Sequence, residues 1–282
     1  MSRFICPVYD STFKYLWKDK ECRKWFIKLI KFITDIDLNE YTLYDPNADT
    51  GNKKKKYKFD IFFIKGATTI HEADIFNIEM YKNYSKMNEI KSNTYIFYLM
   101  GSSYVEGEKY TERKGIQVNF HDYLCQRNEM ISISKCMIRD DTNDIVKDDI
   151  TIYDIYLPKY EGICYNGKNE MESMLSLLHC KSYEEMITVA NNNKEALNIV
   201  EKLEDLSVNE QFLGVYDADK VHRKEINTAK AEGIEEGLEL GREEEKLENA
   251  INLIKAGYDI EGICNSLNLD INKLKEKLEN NK

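Results

Sequence analysis

Two acidic residues stand inside segments that otherwise have the composition of buried β-strands. Asp60 lies within Tyr57–Lys65 (YKFDIFFIK), and Glu79 lies within Asp74–Tyr81 (DIFNIEMY). An ionised carboxylate is costly to place in a sheet unless it is paired or binds a metal ion. Two carboxylates on neighbouring strands can share one cation, and oxygen ligands of this kind suit Mg²⁺ or Mn²⁺. The alternative is that both acids face solvent on the wet side of a sheet.

A run of lysines comes shortly before Asp60. Its five lysines occupy six positions and are interrupted only by Tyr57. Such a run can contact the phosphate backbone of DNA, and each neutralised phosphate then makes binding more sensitive to salt. An ordinary solvated loop has the same composition, so both interpretations stay open. The residues concerned are Lys53, Lys54, Lys55, Lys56 and Lys58.

The elements that must position the two acids follow from the spacing of apolar residues. Helical spacing predicts helices from Asp10 to Ile36, with a break near Lys18 after which Asp19 caps a second helix. Alternation with a period of two predicts strands, with one helix between the second and third. The predicted strands are Tyr57–Lys65, Asp74–Tyr81, Gly115–Phe120, Met130–Ile138 and Ile150–Leu157, and the helix is Tyr84–Met100. Residues 1–165 are therefore predicted to form an α/β core.

The rest of the chain is predicted to be helical. An extension over residues 166–228 contains the helices Glu170–His179, Ser182–Asn191 and Lys194–Leu206. The tail, residues 229–282, begins with a Glu-rich segment whose glycines at 233, 237 and 241 would align on one side of a helix. Because glycine weakens a helix, this segment is interpreted as a frayed connector or as a self-associating helix that pairs two copies in a homodimer. The short closing helices are Ala250–Ala256, Ile260–Leu267 and Asp270–Leu278.

Composition excludes several classes of protein. The chain has no run of about 18 apolar residues, which a membrane-spanning helix would need, and its first residues lack the pattern of a secretory signal. The seven cysteines are odd in number, widely spaced and without a CxxC pair. This pattern argues against a disulfide framework and a zinc site, and it predicts free thiols in a reducing cytoplasm.

The net charge of −10 is unevenly distributed. Residues 1–133 contain 21 basic and 18 acidic side chains, a net charge of +3, whereas residues 134–282 contain 19 and 32, a net charge of −13. The acidic total therefore belongs to the second half of the chain and does not exclude DNA binding by the first half.

Several short motifs, taken in order, resemble the PD-(D/E)XK nuclease family transposases, also called recombination-promoting nucleases. The principal ones are Asp10–Lys14 (DSTFK), Lys58–Ile61 (KFDI) and Asn77–Met80 (NIEM). Further matching pieces follow toward the end of the chain. These are Lys91–Tyr95, Gly107–Tyr110 (GEKY), Ile116–Phe120 (IQVNF), Leu157–Lys159 (LPK), and the Glu/Gly-rich tail with its closing helices.

The resemblance implies a fold, a reaction and a set of residues. The fold is a restriction-endonuclease-like core, in which a mixed sheet is flanked by helices. The reaction is hydrolysis of DNA phosphodiester bonds with Mg²⁺ or Mn²⁺, in bacterial transposition or recombination. Asp60 and Glu79 would bind the metal ion, together with the carbonyl oxygen of Met80. Asp10 would assist this shell, or would simply be the N-cap of its helix.

One position departs from the family's pattern. The family has Lys, Gln or Asn two residues after the second acid, where this chain has Tyr81. Tyrosine is neutral at pH 7 and supplies no positive charge, so the cation would come from Lys91 or Lys86 in the following helix. The alternative function is therefore a weakened nuclease that binds DNA or assembles with other proteins. A third hypothesis is an unrelated interaction protein whose helical C-terminal half is the active part. It is favoured if the carboxylates of Asp60 and Glu79 lie too far apart to share one ion.

Overall fold

A computed structural model describes residues 3–44, 60–67, 73–101, 112–142 and 144–267, and in addition 269–271, 274, 277 and 278. Contacts divide the chain into two compact units, Met1–Asp219 and Lys220–Lys282. The lysines predicted to bind DNA, at 53–56 and 58, lie outside the described residues. None of the described helices is both long enough and apolar enough to cross a membrane.

The first unit contains a mixed sheet flanked by helices, which confirms the predicted α/β class. Its described strands are β1 (Thr42–Leu43), β2 (Ile61–Lys65), β3 (Asp74–Tyr81), β4 (Gly115–His121), β5 (Ile133–Arg139) and β6 (Ile145–Tyr156). Its helices are α1 (Asp10–Lys18), α2 (Lys20–Thr34), α3 (Lys86–Gly101), α4 (Glu170–His179), α5 (Tyr183–Ala190) and α6 (Lys194–Leu206). Helix α7 (Glu210–Lys255) follows, and then α8 (Ile260–Leu267).

The order of the strands in the sheet is β1-β2-β3-β4-β6-β5. Strands β3, β4 and β6 are parallel, whereas β2 is antiparallel to β3 and β5 is antiparallel to β6. The register places Ile61 of β2 opposite Ile78 of β3, and it aligns Glu79, Asn119 and Asp154 across β3, β4 and β6. Polar residues from three strands therefore meet on one face.

The two faces of the sheet have opposite character. One face packs against α1, α2 and α4 to α6 in a hydrophobic core, which includes edge-to-face contacts of Phe13 with Phe120 and of Trp17 with Phe63. The predicted alternation in β3 is confirmed, because Phe76, Ile78 and Met80 all face this core. Helix α3 lies on the other face, where most of the buried side chains beneath it are polar.

Some predicted boundaries differ from the observed ones. Asp60 comes directly before β2 rather than in its middle. The boundary predicted at residue 165 falls inside one core, because α4 to α6 pack with the sheet. The Glu/Gly-rich segment and the predicted helix Ala250–Ala256 belong almost entirely to the single helix α7, and the glycines at 233, 237 and 241 contact nothing that a methyl group would disturb.

The second unit has a small apolar core of its own. It is formed by Ala250 and Ile251 of α7, Ile263 and Cys264 of α8, and Leu274. Cys264 is one of seven cysteines, all of which carry free thiols, and five of the seven are buried.

The break between the first two helices is fixed by a side-chain cap. Asp19 Oδ1 accepts hydrogen bonds from the backbone N–H groups of Glu21 and Cys22, both at 3.0 Å. The predicted cap at Asp19 is confirmed, whereas Asp10 is the first residue of α1 and Tyr9 has the N-cap position. Burial would raise the pKa of Asp19, but these hydrogen bonds and the charge of Lys202 lower it overall.

We expect Asp19→Ala to lower the free energy of unfolding by about 1 kcal/mol, because two N–H groups at the start of α2 lose their acceptor. Asp19→Asn is the matched control, since asparagine caps equally well without the charge and should retain most of the stability. Urea unfolding followed by circular dichroism measures both. Equal losses in the two variants would mean that charge, not capping, is the contribution of Asp19.

Candidate functional site

Asp60 and Glu79 lie side by side at the end of the β2–β3 pairing. The Asp60 backbone N–H donates to Glu79 Oε1 at 3.4 Å, and the Met80 backbone N–H donates to Asp60 Oδ2 at 3.0 Å. Glu79 is 0% exposed, so the alternative that both acids face solvent is wrong. Distant acids would have favoured the hypothesis of an unrelated interaction protein, and the structure places the two acids next to each other.

Each acid has a lysine of its own. Lys14 Nζ lies 2.8 Å from Asp10 Oδ1 and 3.1 Å from Asp60 Oδ1. Lys91 Nζ lies 3.2 Å from Glu79 Oε2, and Lys86, the other candidate, is exposed. The sequence interpretation missed Lys14, although the spacing of Asp10 and Lys14 by four residues in α1 puts both on one side of that helix.

The cluster contains more acids than lysines among the described residues. There, three carboxyl groups meet two ammonium groups. Burial, followed by the charges of Glu79 and Asp10, raises the pKa of Asp60 well above its usual range despite Lys14. Burial also raises the pKa of Glu79, and Lys91 only partly offsets this effect. The site is therefore electrostatically suited to a further positive charge.

The donor set agrees with a hard divalent cation in its chemistry. Asp60 and Glu79 supply carboxylate oxygens, and the buried Asn77 Oδ1, on the same face of β3, has no hydrogen-bond partner in the described part of the chain. Among the described residues, however, no group of three or more His, Cys, Asp or Glu side chains is arranged to hold a metal ion. Within the described part of the chain, the site therefore offers a cation two acids and an amide oxygen, not a third acid.

Tyr81 lies between the acid pair and a neighbouring aromatic ring. Its ring stacks on His121 at 5.4 Å between centroids, and Lys91 Nζ lies 5.5 Å from its centroid on the Glu79 side. Burial, together with the charges of Glu79 and Asp60, raises the pKa of Tyr81 far above its usual range. Tyr81 therefore lines the site as a neutral side chain, and the positive charge beside it is the ammonium group of Lys91.

A buried polar layer continues from the acid pair across the sheet, and the sequence interpretation assigned it no role. Gln117 Nε2 and Asn119 Nδ2 both donate to Ser92 Oγ of α3, at 2.8 and 2.9 Å. Asn119 Nδ2 also donates to Asp154 Oδ1 at 2.9 Å, and His121 Nε2 lies 3.0 Å from the same oxygen. The signal in the sequence was the alternation in β4, whose polar side chains alternate with apolar residues on the core face. In β6 only Asp154 continues the layer, because Ile152 is the residue opposite Gln117.

Two aromatic residues of α3 lie at the surface rather than in the core. Phe97 is 53% exposed and Tyr98 is 41% exposed. Tyr95 is half-buried, and its ring lies 4.8 Å from Lys91 Nζ. The fully buried residue of this turn is Ile96.

No protein-family model, curated protein or solved structure matches the chain.

The raised pKa values of Asp60 and Glu79 predict an unusual dependence of stability on pH. The folded state binds more protons than the unfolded state from the ordinary carboxyl range, about pH 4, up to the raised pKa values. The free energy of unfolding should therefore fall as pH rises through this window, by at most about 1.4 kcal/mol per pH unit for each acid. Carboxyl groups with a lowered pKa, such as that of Asp19, change the free energy of unfolding only at pH values below this window.

Urea unfolding from about pH 4 to 7 in EDTA measures this slope. Glu79→Gln should make it shallower, because one of the two titrating groups is gone. Glu129→Gln is the control, since Glu129 is exposed on a loop far along the chain from the pair. If Glu79→Gln leaves the slope unchanged, the pH dependence does not come from the pair of Asp60 and Glu79.

Proposed function

We propose that the chain is a metal-dependent DNA endonuclease, related to the PD-(D/E)XK transposases that its motifs resemble and sharing their restriction-endonuclease-like core. The observation that carries the proposal is the buried pair of Asp60, directly before β2, and Glu79, within β3, both with raised pKa values, in a cluster where the described residues supply three acids and two lysines. Buried acids with strongly perturbed pKa values are typical of functional sites.

In this proposal Asp60, Glu79 and the carbonyl oxygen of Met80 hold Mg²⁺ or Mn²⁺. The metal ion supplies Lewis acidity toward the scissile phosphate and a water of lowered pKa. Lys14 connects Asp60 to Asp10 and so fixes the orientation of the Asp60 carboxylate. Asp10 acts through Lys14 and Asp60 as a positioning residue.

Lys91 takes the role that a lysine in the strand has in the resembling family. It reaches the Glu79 carboxylate from α3, across the ring of Tyr81, rather than from the position of Tyr81 itself. A positive charge fixed there stabilises the negative charge that develops on the phosphate oxygens. The neutral Tyr81 then serves as packing for Lys91.

The alternative function is a nuclease-like protein that binds DNA, or assembles on it, without cutting. The observation that favours it is that both lysines are already engaged by acids, and Tyr81 contributes no charge. In either case the DNA partner would contact residues 1–133, whose net charge is positive, and lysines 53–56 and 58 would contact phosphates. The free thiols suit the reducing cytoplasm.

Nicking of supercoiled plasmid tests the proposal. The purified protein should nick with Mg²⁺ or Mn²⁺ and not with EDTA, and Asp60→Asn or Glu79→Gln should each reduce the rate at least about 100-fold. Lys91→Met should cost about as much, whereas Lys86→Met, a matched change on the exposed side of the same helix, should leave the rate unchanged. Activity that survives both acid substitutions would refute the site.

The same assay separates the alternative. Binding of DNA without nicking, with nicking gained in Tyr81→Lys or Tyr81→Gln, would identify a weakened nuclease. If the original protein and both Tyr81 variants bind DNA without nicking it, the function is DNA binding alone.

We also propose that α7 pairs two copies of the chain. Ile234 and Leu238, one helical turn apart, are exposed beside the glycines at 233 and 237. Sedimentation equilibrium should therefore report a dimer, and Leu238→Lys should shift it to a monomer. Leu253→Lys, on the same helix, is the control; a wild-type monomer at high concentration would reject the pairing.

A further inference from the structure

A cleft lies among the helices that pack on the apolar face of the sheet. It is bordered by residues 161–164, by the C-terminal half of α4 with the two residues that follow it, and by α5. Its volume is about 370 Å³, within the range of pockets that bind small molecules. None of its described lining residues belongs to the acid pair or to the polar layer, so the cleft is a separate feature of the fold.

The rim of the cleft carries more negative than positive charge. Glu161, Glu184 and Glu185 line it and are exposed, so their carboxylates are charged at neutral pH. Lys181 is the one basic side chain, histidine aside, among the described lining residues. Its ammonium group already lies 3.1 and 3.2 Å from the two oxygens of Asp122, which does not line the cleft. The rim therefore attracts a cation and repels an anion.

The floor of the cleft contains a hydroxyl group without a hydrogen bond. Ser176 lines the cleft and is 1% exposed, and its Oγ has no hydrogen-bond partner in the described part of the chain. A buried polar group in this state is destabilising, and a ligand that supplies the missing hydrogen bond removes the penalty. Ser176 thus marks the place where a polar end of a ligand would bind.

His179 offers an acceptor one helical turn after Ser176. Its Nδ1 lies 2.6 Å from Asp122 Oδ1. Burial would raise the pKa of Asp122, but the hydrogen bond of His179 and the charge of Lys181 lower it overall, so Asp122 is ionised and accepts the Nδ1 proton. The neutral ring then has a lone pair on Nε2, for which the described residues supply no donor. A hydroxyl group and this lone pair together suit an ammonium group, which has three donors.

The walls between rim and floor suit an aliphatic chain. Val189 and Cys180 are buried side chains of the wall, and burial, followed by the charge of Glu185, raises the pKa of the Cys180 thiol to about 12, so this thiol is uncharged. No Phe, Tyr or Trp is among the described lining residues, so the cleft lacks the flat surface on which a planar heterocycle would stack. A metal ion would need a cluster of ligands, and the described residues contain no suitable group of three or more His, Cys, Asp or Glu.

We propose that this cleft binds an aliphatic diamine, or a longer polyamine, in its cationic form. One ammonium group donates to Ser176 Oγ and His179 Nε2 at the floor. The methylene chain lies against the uncharged wall, and the second ammonium group lies among the glutamates of the rim. The proposal is independent of the nuclease function, because it uses no residue of the acid pair.

Isothermal titration with butane-1,4-diamine, butylamine and butane-1,4-diol tests the ligand class. The buffer contains about 0.15 M salt, which screens long-range attraction to the net charge of the chain. The diamine should bind as one molecule per chain and about three times or more as tightly as butylamine, because rim ion pairs are partly screened by solvent. The uncharged diol should not bind measurably at the same concentrations.

Two pairs of variants test the position of the ligand. Ser176→Ala should weaken diamine binding about tenfold, since a hydrogen bond from a charged donor is lost. Its control is Ser173→Ala, a buried serine one turn earlier in α4 whose hydroxyl donates to the Asn169 carbonyl outside the cleft. Glu184→Gln should weaken binding about threefold. Its control is Glu201→Gln, an exposed glutamate of α6 that does not line the cleft.

Several results would overturn the proposal. Absence of diamine binding, or diol binding as tight as that of the diamine, would exclude a cation as the ligand. Equal affinities for diamine and butylamine would exclude the second ammonium site at the rim. An affinity that Ser176→Ala leaves unchanged, or that Glu201→Gln lowers as much as Glu184→Gln does, would mean that the diamine is attracted only by the net charge of −10.

Discussion

The arrangement of the sheet and α3 depends on the cost of keeping the Glu79 carboxylate out of water. A carboxylate that is 0% exposed requires a partner, and Lys91 of α3 supplies it. This ion pair holds α3 on the sheet together with the hydrogen bonds that Gln117 and Asn119 donate to Ser92. Ile96 and Met100 add apolar contacts with the sheet, whereas Met87, Ile90 and Phe97 of the same helix are exposed.

The two faces of the sheet thus contribute differently to the structure. The face toward α1, α2 and α4 to α6 carries the apolar residues that stabilise the fold. The opposite face carries a connected chain of hydrogen bonds from Gln117 through Asn119 to Asp154 and His121. A polar layer of this kind is stable only when nearly every member has a partner, so its position is defined closely by the residues around it. Such rigidity is what a binding or catalytic group needs.

Much of the fold was predictable because its signals are local. The ends of β3, α4, α6 and α8 agree with prediction, since the apolar period in each is uninterrupted and turn residues flank it. Asp60 was placed inside a strand because an aromatic-rich stretch continues in front of it; residues 57–59 of that stretch lie outside the described part of the chain. The acid pair could be predicted because β2 and β3 are consecutive and antiparallel. The layer from Asn119 to Asp154 could not, because β6 passes over β5 to pair with β4, and no local pattern records that order.

The outermost strand, β5, has a further consequence. It pairs with β6 on one side, its register shifts around Cys136 to Arg139, and it carries the charges of Lys135 and Arg139. An irregular, positively charged border does not offer the straight row of backbone groups that a foreign strand would need. The sheet is thereby protected against growing from molecule to molecule into fibrillar aggregates at this edge.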